Sequence, residues 1–139
     1  MMEIPVSVLS STISRGDILL SDFEGINHRK FFIIMGISEQ SVCGYFFINS
    51  NIARYILGKQ ELLALQYTIK HEDYDFLKYD SFVCASDVKE IPLSVIVEGI
   101  KENKVEIKGH LKEKHIEDIL EIVNQSKAIK AIHKKLYFK

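Results

Sequence analysis

Sulfur chemistry is the first thing this chain has little of. Its 139 residues hold two cysteines, Cys43 and Cys84. Both lie in apolar strand-like runs, where a thiol packs as a small hydrophobe rather than serving as a ligand or half of a disulfide. There is no Cys-x-x-Cys pair, no glycine-rich phosphate loop and no histidine pair at helical metal spacing. His110 and His115 are five apart, which on a helix places them on different sides and argues against a metal between them. Long hydrophobic runs are missing too. The longest, KFFIIMG, falls far short of a bilayer span, and the first residues lack the basic start and apolar stretch of a secretory signal. A cytoplasmic protein without membrane contact is expected, as one domain over residues 1–139 with no internal repeat.

Net charge is also nearly absent, at −1, but its distribution is uneven. Residues 1–100 hold 8 Lys and Arg against 13 Asp and Glu, whereas residues 101–139 hold 10 lysines against 6 acids. The basic end fits either a polyanion partner or a solvated helix face, since its lysines are interleaved with glutamates.

What the chain has is β-branched and aromatic residues in runs of strand length. Residues 18–23, 30–37 and 42–49 are such runs, each bounded by Gly, Asp, Asn or Ser, and they read as consecutive antiparallel strands. The second and third are nearly continuous in apolar residues, as strands buried on both faces are. Residues 38–41 fit a four-residue hairpin loop. Arg15, Gly16 and Asp17 read as a tight turn into the first strand rather than as an adhesion motif.

Later elements are shorter. Asn49, Ser50 and Asn51 offer capping side chains for a helical turn over residues 52–57, stopped by Gly58. Residues 61–65 form a second candidate turn, and residues 67–70, 82–84 and 89–92 read as short strands. The polar and aromatic stretch 71–81 reads as a surface excursion. From Leu93 the period changes to helical, through Ile96, Val97 and Ile100. The strongest helix signal covers residues 115–132, where Ile116, Ile119, Leu120, Val123, Ile129 and Ile132 form one apolar stripe. Residues 105–107 are too brief to assign, and residues 1–14 read as an irregular leader or a short helical turn lying across the sheet.

The loop before the second strand presents Asn27, His28 and Arg29 where a strand must begin, and loops held by a rigid sheet concentrate functional groups. In order and context the segments RGDILLSDF, GINHRKFFIIMG, YFFINSN, YDSFVCASDVKEIP and KGHLKEKHIEDILEIV resemble the MazF/PemK-like toxins. That resemblance covers most of residues 15–125. It implies a mainly β fold with helices (α+β): an SH3-like barrel closed by an amphipathic helix. It also implies a toxin–antitoxin endoribonuclease that cleaves single-stranded RNA without metal or other cofactor, as a homodimer whose groove an antitoxin peptide covers. Family members usually carry Arg-Pro entering the second strand, and here Lys30 follows Arg29. The family's hydroxyl after the third strand falls at Asn49, with Ser50 beside it.

Metal-free RNA cleavage needs a base near the ribose 2′-hydroxyl, an acid for the leaving oxygen and a cation for the charge on the phosphorane. Arg29 suits phosphate by planar, bidentate contact, and His28 exchanges protons near neutral pH. Ser50 is placed to hold a phosphate oxygen, and Asn49 to read a base or fix the sugar, with Asn27, Lys30 and Asn51 as further binding residues. Taken singly, each also reads as a solvated loop residue or a cap. The alternative to the enzyme is a non-catalytic SH3-like barrel that binds a protein or nucleic acid. A ribonuclease site should gather Arg15, Arg29, Lys30 and Arg54 around one groove, whereas the acidic excess would line the site of a basic protein partner.

Overall fold

A computed structural model describes residues 12–139, so the leader expected over residues 1–14 falls outside the described residues up to position 11. The two most apolar runs become the two longest strands. β1 (Asp17–Ser21) pairs with β2 (Lys30–Ile37), and β2 with β3 (Val42–Asn49), all antiparallel. The strand-length runs at 30–37 and 42–49 match β2 and β3 at both ends, because each is apolar throughout and punctuated by turn residues. Their hairpin closes over residues 38–41, where Ser38 N–H donates to Val42 O (2.9 Å) and the Ser38 hydroxyl accepts Val42 N–H (3.2 Å).

Beyond β3 come two single-turn helices, α1 (Arg54–Leu57) and α2 (Gln60–Leu63), then the strands β4 (Gln66–Ile69), β5 (Ser81–Cys84) and β6 (Lys89–Pro92). The caps expected from Asn49, Ser50 and Asn51 do not form: the residue before α1 is Ala53, with no side-chain cap. α3 (Leu93–Lys101) follows β6 directly, then β7 (Val105–His110), α4 (Glu113–Gln125) and α5 (Ala131–Tyr137). The seven strands form one antiparallel sheet in the order β4-β5-β3-β2-β1-β7, with β6 beside β5 on the free edge of β3. The path runs from β4 to β7, and these two ends do not pair. The fold is therefore mixed α+β around an open antiparallel sheet.

Alternation along β2 and β3 splits the core in two. Ile33, Met35, Phe46 and Ile48 face one side and pack with Leu111, Ile116, Ile119, Val123 and Tyr137. Phe32, Ile34, Cys43 and Tyr45 face the other, against Leu93, Ile96 and Val97 of α3. Both central strands are thus buried on both faces, as their unbroken apolar runs require.

The helix expected over residues 115–132 is two helices. Ser126 adopts extended angles (φ −80, ψ 137), and its hydroxyl accepts Ala128 N–H (3.1 Å). The stripe continues to the buried Ile129, but Ile132 is 55% exposed. The helical period was thus carried past a real break. α5 turns back over the hairpin instead, and Tyr137 settles onto Gly36 and Gly44, where any Cβ would overlap its ring or backbone. Phe138 stacks on Phe46 at 5.5 Å.

The Arg-Gly-Asp triplet joins these layers. Gly16 holds a positive φ of 98°, which only glycine adopts without strain, and donates its N–H to Ile34 O (2.7 Å). Arg15 donates to Met35 O (2.6 Å) and to Tyr137 O (3.1 Å), pinning α5. Asp17 accepts Ser14 N–H (2.8 Å) and faces His110 Nδ1 at 3.0 Å. The turn expected here is therefore also a clamp. His110 and His115 lie on β7 and α4, where His115 Nδ1 meets the Tyr74 hydroxyl at 2.6 Å.

Candidate functional site

Where β2 begins and β3 ends, the sheet opens into a groove of about 620 Å³. Antiparallel pairing makes this juncture unavoidable: Phe31 sits opposite Ile48, and Asn49 opposite Phe82. The loop before β2, the turn after β3 and the loop before β5 must then share one rim. Six of the seven residues expected at the site meet there, His28, Arg29, Lys30, Asn49, Ser50 and Asn51. The seventh, Asn27, stands behind them, with its Oδ1 3.1 Å from His28 Nδ1.

The groove also takes in Phe76, Lys78 and Tyr79, from the stretch read only as a surface excursion. Aromatic residues alternating with charge across positions 74–79 were the available signal, since that pattern suits a chain of bases and phosphates. Phe76 leans on Phe31 at 5.2 Å and forms a wall. Tyr79 is 59% exposed at the rim.

Charge at the groove runs against the chain's balance. Its lining includes Arg29, Lys30, Lys78 and His28 and not one carboxylate, although residues 1–100 carry five more acids than bases. Of the four cations expected to gather, two do. Arg15 is the clamp on α5, and Arg54 does not line the groove.

Individual side chains differ in readiness. An amide oxygen only accepts, so His28 Nδ1 donates in its contact with Asn27 Oδ1, and Nε2 makes no hydrogen bond among the described residues. Arg29 is committed: it donates to Glu106 Oε2 (3.1 Å), Lys104 O (3.1 Å) and Leu20 O (3.4 Å), tying the loop to β1 and β7. Glu106 is held below the usual carboxylate range, by Lys108 first and by Arg29 second. Both partners of the Arg29–Glu106 pair are solvent-exposed, and such pairs contribute little, so a phosphate is able to compete for the guanidinium.

Lys30 and Asn49 stand at the adjoining ends of β2 and β3, and their side chains meet on the face that carries Phe47, opposite the face of Phe31 and Phe76. Lys30 Nζ donates to Asn49 Oδ1 and lies 5.0 Å from the centre of the Phe47 ring. Burial lowers the Lys30 pKa below the usual lysine range, partly offset by the Cys84 thiol nearby. Ser50 is exposed, with Asn51 Nδ2 3.5 Å from its hydroxyl, so its oxygen is open to a ligand.

Among the described residues no three His, Cys, Asp or Glu side chains are arranged to hold a metal ion, and no helix is long and apolar enough to cross a membrane. Cys43 and Cys84 are free and buried. In comparisons with known proteins, no family model and no curated sequence matches the chain.

Proposed function

We propose that the chain binds single-stranded RNA in the rim groove and cleaves it without a metal, as an SH3-like barrel of the MazF/PemK type working in the cytoplasm. The observation that carries this reading is the carboxylate-free lining with Arg29, Lys78, a histidine and three aromatic rings, in a chain whose first hundred residues are acidic overall. Phosphates are attracted by such a lining and bases stack on its rings, whereas a basic protein partner is repelled.

In this reading His28 Nε2 takes the proton from the ribose 2′-hydroxyl, and the 2′-oxygen attacks phosphorus as the bond to the 5′-oxygen breaks. The products are a 2′,3′-cyclic phosphate and a 5′-hydroxyl, whose proton comes from water in the open groove. Arg29, released from Glu106, and Ser50 hold the phosphate oxygens as charge grows on them. Asn51 fixes the neighbouring nucleotide, and Lys30 and Asn49, joined on the Phe47 face, brace the strand ends beneath it. A second copy of the chain and an antitoxin segment are the protein partners that the family resemblance implies.

One feature of the site favours the non-catalytic alternative, a barrel that binds RNA and leaves it intact. Three hydrogen bonds occupy Arg29 in the free protein. Incubating mixed-sequence single-stranded RNA with the purified protein in chelator separates the two. Cyclic-phosphate ends that disappear in both Arg29→Ala and His28→Ala establish cleavage in this groove. Bound but uncut RNA selects the non-catalytic barrel.

A further inference from the structure

Lysines fall into two populations along the last third of the chain. Between residues 89 and 114, five of the six reach a carboxylate: Lys89 meets Asp87, Lys104 meets Glu102, Lys108 meets Glu106, Lys112 meets Asp73 and Lys114 meets Asp118, all within 3.3 Å. After Glu121 the pattern stops. Residues 122–139 hold five lysines and no acid. Lys127, Lys130, Lys135 and Lys139 are exposed, and none has an ion pair among the described residues. The fifth, Lys134, donates to the carbonyls of Asn124 (3.2 Å) and Ser126 (2.6 Å). The mixed-charge reading of the basic end therefore holds for α4, whereas on α5 the carboxylate of Glu90 meets His133 (3.6 Å) and Tyr137 (2.6 Å) and leaves the lysines without one.

These free cations sit on a fixed platform. Tyr137 and Phe138 are each 1% exposed, Phe138 O accepts the Asn124 side-chain amide (2.7 Å), and Arg15 holds Tyr137 O. A partner that meets this helix need not order it first, which removes one cost of binding. The platform lies at Gly36 and Gly44, the far end of the hairpin from the groove. Five residues of β2 separate Gly36 from Phe31, about 17 Å at ~3.4 Å per strand residue.

We propose that α5 and the turn before it bind the phosphodiester backbone of an RNA strand that continues beyond the groove; this rests on the groove reading above. Uncompensated lysines neutralise phosphates and release counterions without reading sequence. An anionic membrane surface fits less well. An interfacial helix needs a broad apolar face toward lipid, and α5 turns Tyr137 and Leu136 into the core and leaves one large apolar side chain, Ile132, outside.

The test uses the whole protein and the triple variant Lys127→Gln, Lys130→Gln, Lys135→Gln. Fluorescence anisotropy follows the binding of single-stranded RNA of about 5 and about 16 nucleotides across a salt series, sizes at the two ends of a small barrel's footprint. The expected result is tighter binding of the longer strand by the wild type. Its slope of log affinity against log salt becomes shallower by about 2 in the variant, at ~0.7 per phosphate contact. The short strand binds both proteins alike. An unchanged slope for the longer strand overturns the proposal and leaves the groove standing. Equal weakening of both strands also overturns it, because the lysines then act through the general field. If neither strand binds the wild type, the groove reading falls and this inference with it. Phosphatidylserine vesicles that bind the wild type and not the variant, with RNA affinity unaffected, assign the patch to a membrane instead.

Discussion

The β2–β3 hairpin has two ends built from the same kinds of strand residue and finished in opposite ways. At the end near Gly36 and Gly44 two side chains are missing, and Tyr137 fills the space they leave, with its backbone over Gly36 and its ring over Gly44. At the end near Phe31 and Ile48 side chains are present, and loops stand around them without covering them. The sealed end carries hydrogen bonds that tie the chain's extremities together, from Arg15 to Tyr137. The open end carries cations, amides and a hydroxyl exposed to solvent. The sealed end is built for stability, and the open end is where the proposed RNA chemistry is assigned.

Removing the seal should have the largest effect on stability and none on the groove. Tyr137→Ala empties a fully buried aromatic site, and urea unfolding should show a loss of about 3–5 kcal/mol with RNA affinity for the groove unchanged. Gly44→Ala forces a methyl group into the same ring and should cost about 1–3 kcal/mol by overpacking. If either substitution weakens binding of the strand of about 5 nucleotides assigned to the groove alone, the two ends are coupled and the contrast fails.

At the open end the balance should reverse. Arg29→Ala should lower cleavage about 10²–10³-fold, the usual effect of removing one donor to a developing charge. Because the Arg29 ion pair is exposed, the unfolding midpoint should barely move. A large drop in midpoint with cleavage intact would make Arg29 a tether alone.

Much of this architecture was legible in the residues. Unbroken apolar runs gave β2 and β3 their full extent, and six of seven site residues could be placed together because the ends of adjacent antiparallel strands must meet. β7 escapes assignment from the sequence because its apolar alternation is only two residues long, Val105 and Ile107, and the second of these is 51% exposed. The break between α4 and α5 was hidden for the opposite reason, since Ile129 and Ile132 kept the helical period across a turn. Phe76, Lys78 and Tyr79 read only as surface because their mix of aromatic and charged residues suits a solvated loop as well as a groove wall.

A smaller effect concerns pH. Burial pushes the Cys43 thiol from its ordinary 9.0 up to about 11. Between those values the unfolded chain loses this proton first, so stability present below pH 9 is lost as pH rises toward 11. Lys30, lowered by its own burial, works in the other direction as pH approaches the usual lysine range. Denaturant melts of Cys43→Ala across this interval should show a shallower alkaline decline than the wild type, whatever the variant's absolute stability. Parallel declines would remove the thiol from the account.

The division of labour between the two ends is tested most directly by amide chemical-shift mapping while the protein is titrated with a single-stranded RNA of about 5 nucleotides, near the lower limit of a small β domain's site. Shifts confined to residues 28–31, 49–53 and 76–81, with Gly36, Gly44 and Tyr137 silent, are the predicted result. Shifts centred on the α5 seal, with residues 28–31 and 49–53 unmoved, would contradict it.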